Sequence, residues 1–382
     1  MNPPAALPHR TRILVALTVA FALAGIGYGL YWGFSARYHE TTDDAYAAGN
    51  LLRITPRISG TVVAVLADDT DFVRVGQVLV RLDDTDARVA LSRAEAELAD
   101  AIRRVRQNFF SVDQYQANLA LKEQALVQAE ADAARRNGAA ADQSISQEEL
   151  EHARSALRKA QSEMKLAAAQ LASARAAVGG TQIDSHPAVR QAAARLREAY
   201  LTLSRCEVRA PGSGYVAKRG VQVGQQVVTG APLFAVVPLD QLWADVNFKE
   251  DQLHRIRIGQ PVTIESDFYG SAVEFHGKVV GVSAGTGAVF SQLPPQNASG
   301  NWIKIVQRLP VRVSLDAKEL AEHPLRVGLS LHADVDTRDM SGAALASAAV
   351  AGHYSVPSDD SAEKEADRRV REIVAANRGD RD

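Results

Sequence analysis

The stretches Ser59-Gly60-Thr61-Val62 with Val75-Gly76-Gln77-Val78-Leu79, and Ser213-Gly214-Tyr215-Val216 with Val223-Gly224-Gln225-Gln226-Val227, share one plan. Each opens on S-G-x-V and turns at V-G-Q. Each closes on an apolar strand, Val78-Leu79-Val80 in the first and Leu233-Phe234-Ala235-Val236 in the second. Glycine at the turn supplies the positive φ that a tight hairpin often needs. The two stretches read as halves of one small β unit, residues 58–83 and 206–237. A unit cut in two closes only if the intervening chain returns to its starting point, and an antiparallel helical hairpin does that.

Residues 84–205 carry the signature of such a hairpin. Apolar residues fall seven apart at Leu91, Leu98, Val105, Val112, Leu119, Leu126 and Ala133. The return arm repeats Leu150, Leu157, Met164, Leu171 and Val178, with Ala153, Ala160, Ala167 and Ala174 three residues after the first four. That is a coiled-coil seam with large residues at a and alanine at d, which lets two helices approach closely. Asn137-Gly138 is read as the end of the first arm, because both residues tolerate the left-handed conformation. Ser146-Gln147-Glu148-Glu149 is a capping box opening the second, so the tip is placed at about 137–146. An arm of about fifty residues at about 1.5 Å each reaches about 75–80 Å. Such a rod spans distance or presents its tip. Gly179-Gly180 interrupts the return arm and His186-Pro187 restarts it. A kink and a local loop are both open there. Val189, Leu196 and Leu203 then continue the seven-residue spacing.

Ile13–Phe34 is an uncharged apolar run, long enough to cross a bilayer. Arg10 and Arg12 precede it, which favours a cytoplasmic N-terminus, residues 1–12, and the bulk of the chain on the other side. A cleaved signal peptide competes with this reading, but the run is long for one and Phe34-Ser35-Ala36 is a poor cleavage site. Residues 41–57 look extended and join the β regions. From Trp243 the pattern is β again: Trp243–Phe248 alternates at period two, and Val262–Ile264, Val273–Val282, Ile303–Val313 and Val327–Val335 follow. These suggest a small antiparallel barrel over 238–336. Ser283–Asn301 is a Gly/Ser/Pro/Asn-rich loop long enough to be functional. The tail, 337–382, is polar. Within it Ser361–Asn377 reads either as a short amphipathic helix, with Ala366, Val370 and Ile373 on one side, or as disorder.

The formal charge of −2 provides no broad basic field for nucleic acid. The single cysteine, Cys206, makes no intrachain disulfide and reads as a small core residue. Histidine spacing gives no metal-ligand pair. Gly212-x-Gly214-x-x-Ala217 matches a loose dinucleotide fingerprint, but no helix pattern follows and turn glycines explain it better. Asp43-Asp44 and Asp83-Asp84 are paired carboxylates expected at element boundaries in turn and cap roles. No catalytic residue, cofactor or metal is expected. The split unit resembles lipoyl and biotinyl domains, yet it lacks their modified lysine, since the first lysine of the chain is Lys122.

The order of parts is that of a known family. Thr42-Asp43-Asp44-Ala45-Tyr46, Asn247-Phe248-Lys249-Glu250, Arg257-Ile258-Gly259-Gln260-Pro261-Val262, and the run from Gly285-Thr286-Gly287 through Pro294–Ala298 and Gly300–Lys304 to Val306–Arg312 resemble the HlyD-type membrane fusion proteins, or periplasmic adaptors. The match is to their multidrug-export branch and runs from the anchor to about Val335. The fold it implies is mixed α+β and elongated: a transmembrane helix, a split lipoyl-like domain with an inserted α-helical hairpin, and a small β-barrel.

The role it implies is non-enzymatic. A homo-oligomeric adaptor would sit in the inner membrane of a Gram-negative cell, with its bulk in the periplasm. It would link a major-facilitator multidrug exporter to a TolC-like outer-membrane channel. An adaptor for an ATP-driven secretion system and a structural tether are the alternatives. Family tips often carry R-x-x-x-L-x-x-x-x-x-x-S, and here Arg135, Ala139 and Ser146 occupy those places, alanine replacing leucine. Asn297, Asn301 and Lys304 are the candidates for exporter or substrate contact.

Overall fold

The computed structural model describes residues 9–141, 144–287, 289, 306–346 and 360–379. In chain order, α1 (His9–Phe34) leads into β1 (His39–Ala48) and β2 (Leu52–Ile54). Then come β3 (Gly60–Val65), β4 (Phe72–Val73) and β5 (Val78–Leu82). Three helices follow: α2 (Thr85–Ala141), α3 (Gln147–Val178) and α4 (Pro187–Ser204). Next are β6 (Glu207–Arg209), β7 (Gly214–Arg219), β8 (Gln226–Val227) and β9 (Phe234–Val237). The last part holds β10 (Trp243–Lys249), β11 (Pro261–Ser266), β12 (Gly270–Val282), β13 (Arg308–Leu315), α5 (Ala317–Glu322), β14 (Ser330–Asp336) and α6 (Asp360–Arg378). The expected strand start at Ile303 lies outside the described residues.

The two S-G-x-V…V-G-Q halves close into one unit. Its sheets run β2-β9-β7-β4 and β6-β5-β3-β8, so each sheet contains strands from both halves. β3 pairs with β8, β4 with β7 and β5 with β6, every pair crossing the hairpin insertion. Val62, Val73, Leu79 and Val80 of the first half share a core with Val216, Val221, Val227 and Val236 of the second. Burial of this apolar surface, at about 25 cal/mol per Å², holds the halves together. Gly76 and Gly224 take φ of 78° and 82° at equivalent turns. Each turn hangs on the other half: Gly76 N–H donates to Ala210 O and Gly224 N–H to Val62 O, both at 2.8 Å.

The glutamine of V-G-Q has its own reason. Gln77 Oε1 accepts from Arg74 N–H, and Gln225 Oε1 from Gln222 N–H, each at 3.0 Å. The barrel uses the same device at Arg257-Ile258-Gly259-Gln260, where Gly259 has φ 96° and Gln260 Oε1 accepts from Arg257 N–H at 2.8 Å. In each case the glycine makes the turn and the glutamine side chain ties down its first amide.

The seven-residue seam is the line of helix contact. Leu98, Val105, Ala133, Ala153, Ala167, Leu171 and Val178 are buried, and the other seam positions are half-buried. Ser146 forms the expected capping box with Glu149. The end of the first arm differs from expectation. Asn137 and Gly138 lie inside α2, which runs on to Ala141. A propensity cost of about 1 kcal/mol for glycine is small against the packing and hydrogen bonds of so long a helix.

The break at Gly179 is a true interruption. Gly179 and Gly180 have φ of 59° and 66°, and α4 restarts with His186 as N-cap and Pro187 in its first turn. Asp83 accepts the Thr85 N–H at 3.0 Å at the start of α2, a cap role as expected.

The barrel is closed, in the order β1-β10-β13-β12-β11-β14, all antiparallel. Phe248, Phe275, Ile264, Val246, Val311 and Val335 fill it. α1 is the one described helix apolar and long enough to span a membrane, with mean hydropathy 2.2. Its junction with the barrel is fastened twice. Thr337 donates its N–H and its hydroxyl to Tyr38 O, both at 2.8 Å. Arg255 Nη1 donates to Arg37 O at 2.5 Å. In the tail, residues 360–378 are helical and packed on the hairpin root, so of the two readings of Ser361–Asn377 the helix holds.

Candidate docking surfaces

Three of the stretches that carry the family resemblance lie edge to edge on the barrel. β1 pairs with β10, and β10 with β13, which brings Thr42–Tyr46, Asn247–Glu250 and Arg308–Arg312 together. Asp44 is the node. Its carboxylate accepts from Arg308 Nη1 at 2.7 Å and from Asn247 Nδ2 at 3.1 Å. Thr42 donates its hydroxyl to Asn247 O at 3.0 Å and accepts the Asp44 N–H at 3.2 Å.

This corrects the boundary role expected of Asp43-Asp44. The pair lies within β1, where the register against β14 shifts between Thr42 and Ala45. A bulge of this kind re-aims side chains, and here it turns Asp44 toward Arg308. Farther along the face, Trp243 Nε1 donates to Asp245 Oδ1 at 2.9 Å. The Arg312 guanidinium stacks 4.3 Å over the Trp243 ring. Tyr46, opposite Asp245, is exposed. The face is therefore polar, mixed in charge and pre-organised by its own hydrogen bonds.

The strands β12 and β13 leave and re-enter this region, and residues between them carry the predicted contacts. Asn297, Asn301 and Lys304 lie outside the described residues. At its described start, the loop is held by Ser283, whose N–H donates to Pro310 O at 2.9 Å.

At the far end, Arg135 is exposed on α2 and pairs with Asp132 at 3.2 Å, a carboxylate it shares with Arg136 at 3.3 Å. Exposed pairs of this kind are worth about 0–1 kcal/mol, so a partner carboxylate can recruit the guanidinium at little cost. Ala139 is half-buried in the last turn of α2, and its carbonyl accepts the Ser144 N–H at 3.0 Å. Ser146 is committed to its cap, accepting the Glu149 N–H at 3.2 Å. Arg154 reaches across to Asn137 Oδ1 at 3.2 Å and ties the arms together below the turn.

Residues 85–206 match the model of the EmrA α-helical hairpin domain. The multidrug export protein EmrA of Escherichia coli K12 is 47% identical over 321 residues, 84% of this chain and 82% of that protein. The chain belongs to the EmrA family of membrane fusion proteins. Another relative in this family, the fatty acid resistance protein FarA of Neisseria gonorrhoeae, is 47% identical over 366 residues, 96% of this chain and 92% of its own. A solved structure of the periplasmic adaptor EmrA aligns with 78% of this chain and 99% of its own, at 18% identity and a TM-score of 0.40. The family role is that of an export adaptor. The Asp44–Asn247–Arg308 node was not singled out from the sequence. Its signal was present, since the stretches that hold it all carry the family resemblance.

Proposed function

We propose that this chain is the periplasmic adaptor of a tripartite multidrug efflux pump, anchored in the inner membrane. It links a major-facilitator exporter to a TolC-like outer-membrane channel and works as a homo-oligomer. The observation that carries this reading is the 47% identity, over most of the chain, to the multidrug export protein EmrA and the fatty acid resistance protein FarA. Amphipathic compounds of those two classes are the proposed cargo. The geometry supports it at both ends. The barrel directly follows the apolar α1, and its polar β1–β10–β13 face is the surface offered to the exporter. The 57 residues of α2, at about 1.5 Å each, reach about 85 Å from the split β unit.

Arg135 is the proposed channel contact, offering a planar fork to carbonyls or carboxylates of a partner tip. Ala139 forgoes most of the about 1.5–3 kcal/mol that a buried leucine contributes. Arg135→Glu is expected to abolish both export and channel pull-down while the hairpin stays helical. Ala139→Leu is expected to strengthen channel binding. Alanine at Asn297, Asn301 and Lys304 is expected to weaken drug resistance at unchanged protein level. Intact export and pull-down with Arg135→Glu would overturn the tip assignment. Loss of the gene without any change in resistance to amphipathic drugs would overturn the adaptor role.

A further inference from the structure

The hairpin changes character at its break. Above Gly179, α2 and α3 form a two-helix rod that buries the seam alanines Ala133, Ala153 and Ala167 with Leu171 and Val178 but leaves the larger seam residues Val112, Leu119, Leu126, Leu157 and Met164 half-buried. Below it, Leu98, Ile102, Val105, Val189 and Leu196 are buried almost completely. The difference is α6. It buries Val370 against α2 and α4, with Ile373 and Val374 half-buried beside it, so the root is a three-helix column.

Charged contacts give α6 its direction. Asp367 accepts from Arg197 Nε at 2.6 Å, and Arg369 Nε donates to Glu95 Oε1 at 2.7 Å. Arg103 reaches Asn377 Oδ1 at 3.4 Å, and Arg378 pairs with Asp184 at 3.5 Å. Asp367 thus lies beside the lower part of α4, and Arg378 beside the break itself. α6 runs antiparallel to α4 and ends where α4 begins. Just above, an open recess of about 260 Å³ lies between the arms, lined by Asn108, Ser111, Tyr115, Gln170, Ala174 and Ala177 among others. At the break itself, α3 has ended and α4 has not begun, and of the two arms α2 alone continues as helix.

We propose that the break at Gly179–His186 is a flex point of the hairpin, and that α6 is the latch holding its root side rigid. With α6 docked, the column is stiff up to Arg378 and the tip has one aim. With α6 released, α4 loses its third partner, and the rod pivots on α2. The inference rests on packing alone and stands whether or not the tip meets a channel.

The test uses the full chain in detergent, with Cys206→Ala and spin labels at Lys165→Cys above the break and Gln191→Cys below it. The wild-type distance distribution is expected to be narrow. Val370→Asp, which places a charge in the α6 seam, is expected to broaden it about twofold and to raise amide exchange at 98–105 and 189–196 about tenfold, with barrel strands unchanged. Arg378→Asp is expected to broaden it too, and adding Asp184→Arg to restore the narrow distribution. An unchanged width and exchange in Val370→Asp would overturn the proposal. If Val370→Asp also unprotects the barrel, the Arg378/Asp184 exchange decides: rescue supports the latch, and no effect of either change overturns it.

Discussion

At the scale of single residues, the x-x-Gly-Gln turn explains why glutamine recurs at three turns with unrelated surroundings. The three copies differ in what else the side chain does, and that ranks the cost of losing it. Gln77 and Gln225 each tie one backbone amide in an exposed turn. Gln260 is 2% exposed, and its amide also donates to Arg255 O at 3.0 Å and Asp339 O at 2.8 Å. Gln225→Ala should cost about 0.5–1.5 kcal/mol, the net worth of one hydrogen bond. Gln260→Ala should cost about 2–4 kcal/mol, because it leaves three backbone groups beside a buried side chain without their partner. Urea-unfolding midpoints of the barrel and the split unit, followed by segment-resolved hydrogen exchange, check the order. Gly138 gives the opposite sign. It is helical, and a methyl group built there meets nothing within 4 Å. Gly138→Ala should therefore stabilise α2 by about 0.5–1 kcal/mol, read as slower exchange near the tip.

At the scale of elements, the hairpin was legible because one period governs it, and every heptad position from Leu91 to Val178 is buried or half-buried. The split unit was legible because its halves repeat a turn motif, and the alternating strands of the barrel were legible from their period of two. Three features were not. The bulge at Asp43-Asp44 leaves no trace in a period-two pattern, since only the partner strand defines it. The run of α2 through Asn137-Gly138 follows from the length and packing of the helix and overrides local preference. The docking of α6 needed a partner surface that no one segment reveals. Its sign is a second apolar stripe at the root, Ile102 and Phe109, which belong to neither seam series. An interhelix ion pair gives a pH test of the rod. Lys122 Nζ donates to Glu163 Oε2 at 2.8 Å, and this bond, with the charge of Lys122, lowers the Glu163 carboxyl from its usual 4.5. A lowered folded value means the contribution is fully present above the unfolded value. It is lost as pH falls through the folded one. The hairpin should thus be equally stable at pH 8 and pH 6 with respect to this pair and lose its contribution below about 4.5. Lys122→Gln should remove that part of the acid dependence in a circular-dichroism titration, and an unchanged titration would refute the assignment.

At the scale of the molecule, the joint between α1 and the barrel decides how the apolar helix is connected to the rest of the chain. Thr337 and Arg255 tie the carbonyls of Tyr38 and Arg37, in the short turn between α1 and β1, to the barrel. Those bonds are made by backbone after the apolar run, so the barrel does not depend on α1 for its fold. β1 begins at His39, and its pairings with β10 and β14 lie wholly beyond the span. The topology follows from charge. Arg10 and Arg12 precede the run, while Glu40, Asp43 and Asp44 soon follow Arg37. Lys and Arg near a span stay on the cytoplasmic side, and the first span usually sets the orientation. One crossing is predicted, with everything after Arg37 in the periplasm. An alkaline phosphatase fusion after Asp83 should be active, and a reporter that fluoresces only in the cytoplasm should be dark at the same place. Removal of residues 1–36 should give a soluble protein whose barrel exchange pattern matches the full chain, because Tyr38 and its bonds to Thr337 are retained. A cytoplasmic signal from the Asp83 fusion would reverse the orientation. A soluble fragment with an unprotected β1 would mean that the anchor helps hold the barrel closed.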